Sequence, residues 1–137
     1  MKGKYMNKKQ AQDQLHQTIY RLADMEGRKA GETVACQPMI VSQHVNMADD
    51  NSPVAKQYFV ADGVCGFGWV NVRPGTCAFA KWLVKNGKGR VSHYEGGVHV
   101  NSPLMTQSLT RNEAYAMAFA KVLNENGIKA YGQSRID

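Results

Sequence analysis

Apolar residues recur along this chain with two different periods, and the switches between them mark its elements. Between Asn7 and Met25, the residues Ala11, Leu15, Ile19, Leu22 and Ala23 fall on one helical stripe. Gln10, Gln14, Gln17 and Arg21 form the polar side, and Gly27 is expected to stop the helix. Thr33 to Val45 is rich in β-branched residues and predicts a strand. Pro38 within it favours an edge or a break, because proline donates no ladder hydrogen bond. Met47 to Pro53 is a run of turn formers. Gln57 to Ala61 predicts a second strand, Asp62-Gly63 a hairpin-type turn, and Phe67 to Arg73 the returning strand.

That returning strand alternates cleanly. Gly68, Val70 and Val72 point to one side, a core face, while Phe67, Trp69, Asn71 and Arg73 point to the other. Arg73-Pro74-Gly75 then turns the chain. Thr76 is the expected cap of a helix from Cys77 to Asn86, with Ala78, Phe79, Trp82 and Leu83 inward and Gly87 and Gly89 at its end. A strand is expected around Gly97 to Val100, with Gly96-Gly97 marking a bulge or a close backbone approach. Thr110 and Glu113 fit a capping box. The helix they open carries Ala114, Tyr115, Ala118, Phe119, Val122 and Leu123 on its buried stripe and ends at Gly127. Ile128 to Ser134 closes the chain as a strand, followed by the tail Arg135-Ile136-Asp137. The order α-β-β-β-α-β-α-β predicts one α+β domain over residues 1–137, whose residues 1–9 form a basic arm. Its sheet is expected to be mostly antiparallel, with about four or five strands and helices packed on one face.

Composition narrows this further. A chain of 137 residues suits one domain, and its 43% hydrophobic and 20% charged residues are those of a soluble globular protein. No apolar run approaches the ~20 residues of a membrane span, and the basic N-terminus lacks the apolar segment of a secretory signal. Three cysteines at wide spacing, Cys36, Cys65 and Cys77, argue for reduced thiols in a cytosolic setting. The net charge of +6 favours an anionic partner. No acidic residue lies between Gly63 and Tyr94, while Arg73, Lys81, Lys85, Lys88 and Arg90 all do. Lysines on a short helix also make an ordinary solvated face, so the cations gain meaning only beside Phe67 and Trp69.

From about Tyr58 onward the chain resembles a group of small proteins encoded by bacteriophages and prophages. Cys65-Gly-Phe-Gly-Trp69, Val72-Arg-Pro-Gly-Thr76, Phe79-Ala-Lys-Trp82, Arg111-Asn-Glu-Ala-Tyr115, Ile128-Lys-Ala-Tyr131 and Ser134-Arg-Ile-Asp137 carry the likeness. The resemblance implies a phage or mobile-element origin, with action in the cytoplasm of a bacterial host or in a virion. It brings no activity and no functional residues with it. His99-Val-Asn-Ser-Pro103 departs from the group, in which a tryptophan-containing strand is usual.

Several chemistries are open to these residues. Aromatic side chains beside basic groups on a sheet face stack the bases of single strands. This makes a non-catalytic, nucleic-acid-associated protein the leading expectation, with DNA or RNA as partner. Phe67 and Trp69 would stack, Asn71 lies beside them, and Arg73, Lys81, Lys85, Lys88 and Arg90 would contact phosphates. The recognition octamer of RNA-binding sheets, the KH loop and zinc-finger spacings are absent. The alternative is a protein-interaction module that binds an acidic host or phage protein. A thiol hydrolase is the third class: Cys65 activated by His93 or His99, oriented by Asn71 or Asn46. Val64-Cys-Gly-Phe67 is superficially similar to a segment of bacterial cell-wall cysteine peptidases, which place the cysteine at a helix start. His16, His44, His93 and His99 with the cysteines lack the close spacing of metal sites, and Asp49-Asp50 reads as a solvated loop. No cofactor is expected.

Overall fold

The strand with the alternating face forms the centre of a sheet. The structure, a computed structural model, describes residues 6–36, 38–44, 54–60 and 62–137. The chain runs α1 (Lys8–Thr33), β1 (Met39–His44), β2 (Val54–Val60), β3 (Gly66–Val72), α2 (Ala78–Lys85), β4 (Arg90–Val91), β5 (Val98–Asn101), α3 (Leu109–Glu125) and β6 (Ala130–Ile136). Four strands make one antiparallel sheet in the order β4-β5-β3-β6, and β1 and β2 pair with each other in a separate two-stranded ribbon. From β3 onward this is a β-α-β-β-α-β unit, the split β-α-β arrangement. The expected class is what the structure shows: one α+β domain with helices packed against an antiparallel sheet of four strands.

One face of that sheet holds the core. Val70 and Val72 of β3, Val98 and Val100 of β5 and Ala130 of β6 are buried against Phe79 and Leu83 of α2 and Tyr115, Phe119 and Leu123 of α3. Both helices therefore cover the same face, as the crossovers of a split β-α-β unit require. The start of α3 comes so close to β3 that a Cβ on Gly68 would stand 2.3 Å from the Asn112 carbonyl oxygen. Asn112 is itself buried, and its amide donates to the carbonyls of Gly66 and Thr106 while accepting from the Ser102 hydroxyl. The helix is capped by Ser108, whose Oγ accepts from the Arg111 amide at 3.3 Å, two residues before the expected Thr110. Glu113 bonds Ser134 of β6 instead of closing a capping box.

α1 lies along α3 and departs most from expectation. It opens at Asn7, which forms a reciprocal capping box with Gln10, and it continues for 26 residues through Gly27. Its buried side is His16, Ile19, Ala23, Gly27 and Gly31, while Leu15 and Leu22 are exposed. The glycines do not end the helix because they are where its neighbours approach. A Cβ on Gly27 would meet the Tyr115 ring at 2.7 Å, and one on Gly31 would meet Leu104 at 2.5 Å. The end comes at Thr33, where Arg111 of α3 donates to the carbonyls of Gly31 (2.8 Å) and Glu32 (3.1 Å). Tyr115 reaches back to donate to Asp24, which also holds Arg28 at 2.9 Å. Burial first, then the bond to Asp24, raises the Tyr115 phenol far above its ordinary value, so it stays protonated. His16 packs edge-on against Phe79, with centroids 5.5 Å apart. Burial lowers its pKa below 6.5, with a smaller opposing pull from Asp13.

Other differences are local. The expected hairpin between β2 and β3 across Asp62-Gly63 does not form, since β2 pairs with β1, and β3 with β5 and β6. α2 is capped by Cys77, whose sulfur accepts from the Ala80 amide, and not by Thr76. The two-residue strand β4 is too short to show any period. Lys2, Lys4, Asn46 and the Met47 to Pro53 turn cluster lie outside the described residues, whereas Lys8 and Lys9 open α1.

Candidate functional site

Directly opposed residues on antiparallel strands share a face, so the register defines the side of the sheet away from the helices. Arg90, His99, Asn71 and Tyr131 form one row across β4, β5, β3 and β6. Asn101, Trp69 and Gln133 form the next, followed by Phe67 with Arg135. Both α2 and α3 pack on the opposite, valine face. Phe67 is 49% exposed, and the Arg135 guanidinium lies 5.7 Å from its ring centroid. The Trp69 indole is half-buried and fixed from two sides. Its Nε1 donates to Gln133 Oε1 at 2.7 Å, and its ring lies 6.0 Å from that of His99. A cleft of ≈ 580 Å³ continues from Phe67 and Trp69 past Asn101 to Thr106 and Gln107.

At the other end of the face the Ser92–Gly97 loop folds over β3. Asn71 Nδ2 donates to Glu95 Oε2 and to the Gly96 carbonyl, both at 3.3 Å. Arg73 donates to the Glu95 carbonyl at 3.1 Å. This cover leaves Asn71 with no exposed surface.

The structure brings together some of the expected contact residues and separates others. Phe67, Trp69, Asn71 and Arg90 lie on the open face, and Arg73 reaches it from the end of β3. Asn71 is there beneath the Ser92–Gly97 loop, with its amide on Glu95 and Gly96. Lys81, Lys85 and Lys88 do not join them. α2 crosses the covered face, so its exposed side points away from Phe67 and Trp69. Lys85 and Lys88 instead line a groove with Gln14, Gln17 and Arg21 of α1, where the Lys88 amine sits 5.5 Å from the Tyr20 ring centroid. Tyr131, Gln133, Arg135 and His99 were not among the expected contacts. The expected last strand stops at Ser134, one residue short of Arg135, although the alternation Tyr131, Gln133, Arg135 was there to be followed.

Cys65 and His99 do not come together. Cys65 is exposed, with its sulfur 4.0 Å from Gln107 Oε1. His99 pairs with Asn71, which is six residues further along the strand and therefore about 20 Å from Cys65. Among the described residues no three His, Cys, Asp or Glu side chains gather as metal ligands, and no helix is long and apolar enough to cross a membrane. Comparison with protein-family models, curated proteins and solved structures finds no match to this chain.

Proposed function

We propose that the open face of the sheet binds single-stranded nucleic acid without catalysis, as a phage-type protein acting on DNA or RNA in its host. Bases stack on Phe67 and Trp69, and Arg73, Arg90 and Arg135 hold phosphates along the path. One observation carries this reading: an exposed Phe67 beside a half-buried Trp69 on the central strand, on the sheet face opposite α2 and α3, with a guanidinium against the Phe67 ring. Stacking accepts any base, and the neighbouring arginines supply sequence-independent attraction.

Titration with oligo(dT), single-stranded RNA and duplex DNA at several salt concentrations tests it. The expected result is tryptophan quenching by single strands, with affinity falling as salt rises by ~0.7 log units per log unit for each phosphate neutralised. Absence of binding at low salt would sink the proposal. A second reading, an interaction module for an acidic protein, is favoured by a different feature. β6 is a sheet edge, and beside it an apolar groove runs past Met117 and Tyr131, which are 57% and 53% exposed.

A further inference from the structure

The open face ends in a cluster that stacking does not use. Asn71 Nδ2, His99 Nε2 and Arg73 Nη2 converge on a single point, which Glu95 Oε2 occupies at 3.3, 3.6 and 3.9 Å respectively. Three nitrogens from β3, its end and β5 thus surround one oxygen of the chain's own loop. None of these distances reaches the ~2.7–2.9 Å of a charge-assisted hydrogen bond. One buried nitrogen here, His99 Nε2, has no hydrogen-bond partner, while Asn71 Oδ1, also without one, is an acceptor turned toward Gly97. Such atoms are few in folded proteins and call for a physical reason. Asn71 is fully buried, so its amide is aimed at this point and not at solvent.

The loop that delivers the carboxylate is built to sit down on the face. Gly96 and Gly97 both adopt left-handed backbone, with φ of 81° and 76°. A Cβ on Gly97 would lie 2.1 Å from Asn71 Oδ1, so any side chain there would lift the loop. The loop is closed by the Ser92 amide donating to the Gly97 carbonyl (2.9 Å) and by the Glu95 amide donating to Ser92 Oγ (3.1 Å). The Glu95 side chain is itself about one-third exposed, at 32%, and has solvent to swing into.

We propose that Arg73, His99 and Asn71 form a phosphate site, and that Glu95 fills it in the free protein as a carboxylate stand-in. A phosphodiester of the bound strand displaces Glu95, exchanging one anion for another. The inference rests on reading the open face as a nucleic-acid surface and deepens it. A carboxylate tethered through its own backbone holds all three nitrogens loosely. A phosphate can present separate oxygens to Arg73 and Asn71, and His99 donates from Nε2 when the ring carries its proton there. Arg90, opposite His99 on β4, adds a positive charge beside the site.

The test compares the full chain with Glu95→Gln, which keeps the side chain's shape and removes its charge. Glu95→Gln should bind oligo(dT) about tenfold more tightly, a change of ~1.4 kcal/mol. Its salt dependence should steepen by ~0.7, the value for one more phosphate on a single strand. Adding Arg73→Gln to Glu95→Gln should abolish both gains. Independently, inorganic phosphate should shift the His99 ring and Asn71 side-chain amide resonances of Glu95→Gln in a saturable way, at lower concentrations than in the unaltered protein. If Glu95→Gln binds oligo(dT) no more tightly and phosphate leaves those resonances unmoved, the phosphate site is refuted while stacking on Phe67 stands. If phosphate moves them but neither protein binds any oligonucleotide, the site stands and the reading of the whole face falls.

Discussion

The two faces of the same four strands are finished to different standards. On the covered face Val70, Val72 and Val98 have no exposed surface, and the one buried amide, Asn112, has its side-chain oxygen and nitrogen both bonded. On the open face an aromatic ring is half in solvent, and two buried polar atoms lack partners. A single strand, β3, supplies both through alternate residues. Packing demands are met on one side and set aside on the other. The exposed ring and the unpartnered His99 nitrogen are the features that the proposed ligand would complete.

Substitutions in the two faces should have opposite effects. Phe119→Ala should lower stability by about 3–5 kcal/mol, because a fully buried ring is lost from a core held by two helices and the sheet. Chemical denaturation measures it, and a loss below 1 kcal/mol would mean that the covered face is not the core. Gly27→Leu should cost about 1–3 kcal/mol by forcing α1 off the Tyr115 ring. Phe67→Ala should do the reverse of both: its unfolding midpoint stays nearly fixed, while affinity for oligo(dT) falls by about 1–3 kcal/mol for one lost stacking partner. A variant that unfolded early and bound normally would assign Phe67 to structure.

A pH scan separates the covered side further. Because burial lowers the His16 pKa, the folded protein holds this ring neutral. Above the ordinary value of 6.5 both folded and unfolded chains carry it neutral, and the stability is fully present. As pH falls below that value, the unfolded chain takes up a proton that the fold resists. Stability then declines until the pH passes through the lowered folded pKa. His16→Phe should flatten that part of the profile, as followed by thermal melting between neutral and mildly acid pH. The smallest effect is expected from the α2 lysines. Were all the cations one patch, Lys81→Glu with Lys85→Glu would abolish binding. From the far side of the sheet, beyond a Debye length of ~8 Å, the pair should change affinity at physiological salt by less than about threefold.

The sequence displays local periods well and partners poorly. The alternation from Phe67 to Arg73 placed Phe67 and Trp69 on the side away from the valines, and the register bears this out residue by residue. The helical stripe containing Tyr115, Phe119 and Leu123 is equally direct. What Asp62-Gly63 cannot say is which strand lies beside β3, because a turn signal records a bend and not a pairing. Gly27 misleads for a related reason. A glycine that ends a helix and a glycine that admits a neighbouring ring look the same until Tyr115, far along the chain, is set against it. Lys81 and Lys85 are close in sequence to Trp69, yet a crossover helix lies on the other side of its strand. Glu95 gave no signal at all, since its role depends on where Asn71, Arg73 and His99 meet.

The contact between Gly27 and Tyr115 also sets an order of events during synthesis. α1 is made early, but the ring that fills its glycine notch is added about 90 residues later, some 4–18 s at ribosomal rates of ~5–20 residues per second. Through that interval the helix has its caps at Asn7 but neither the Tyr115 ring nor the Arg111 clamp on its last carbonyls. His16 can meet Phe79 of α2 before then, but the C-terminal half of the first helix must wait for the last one to be made.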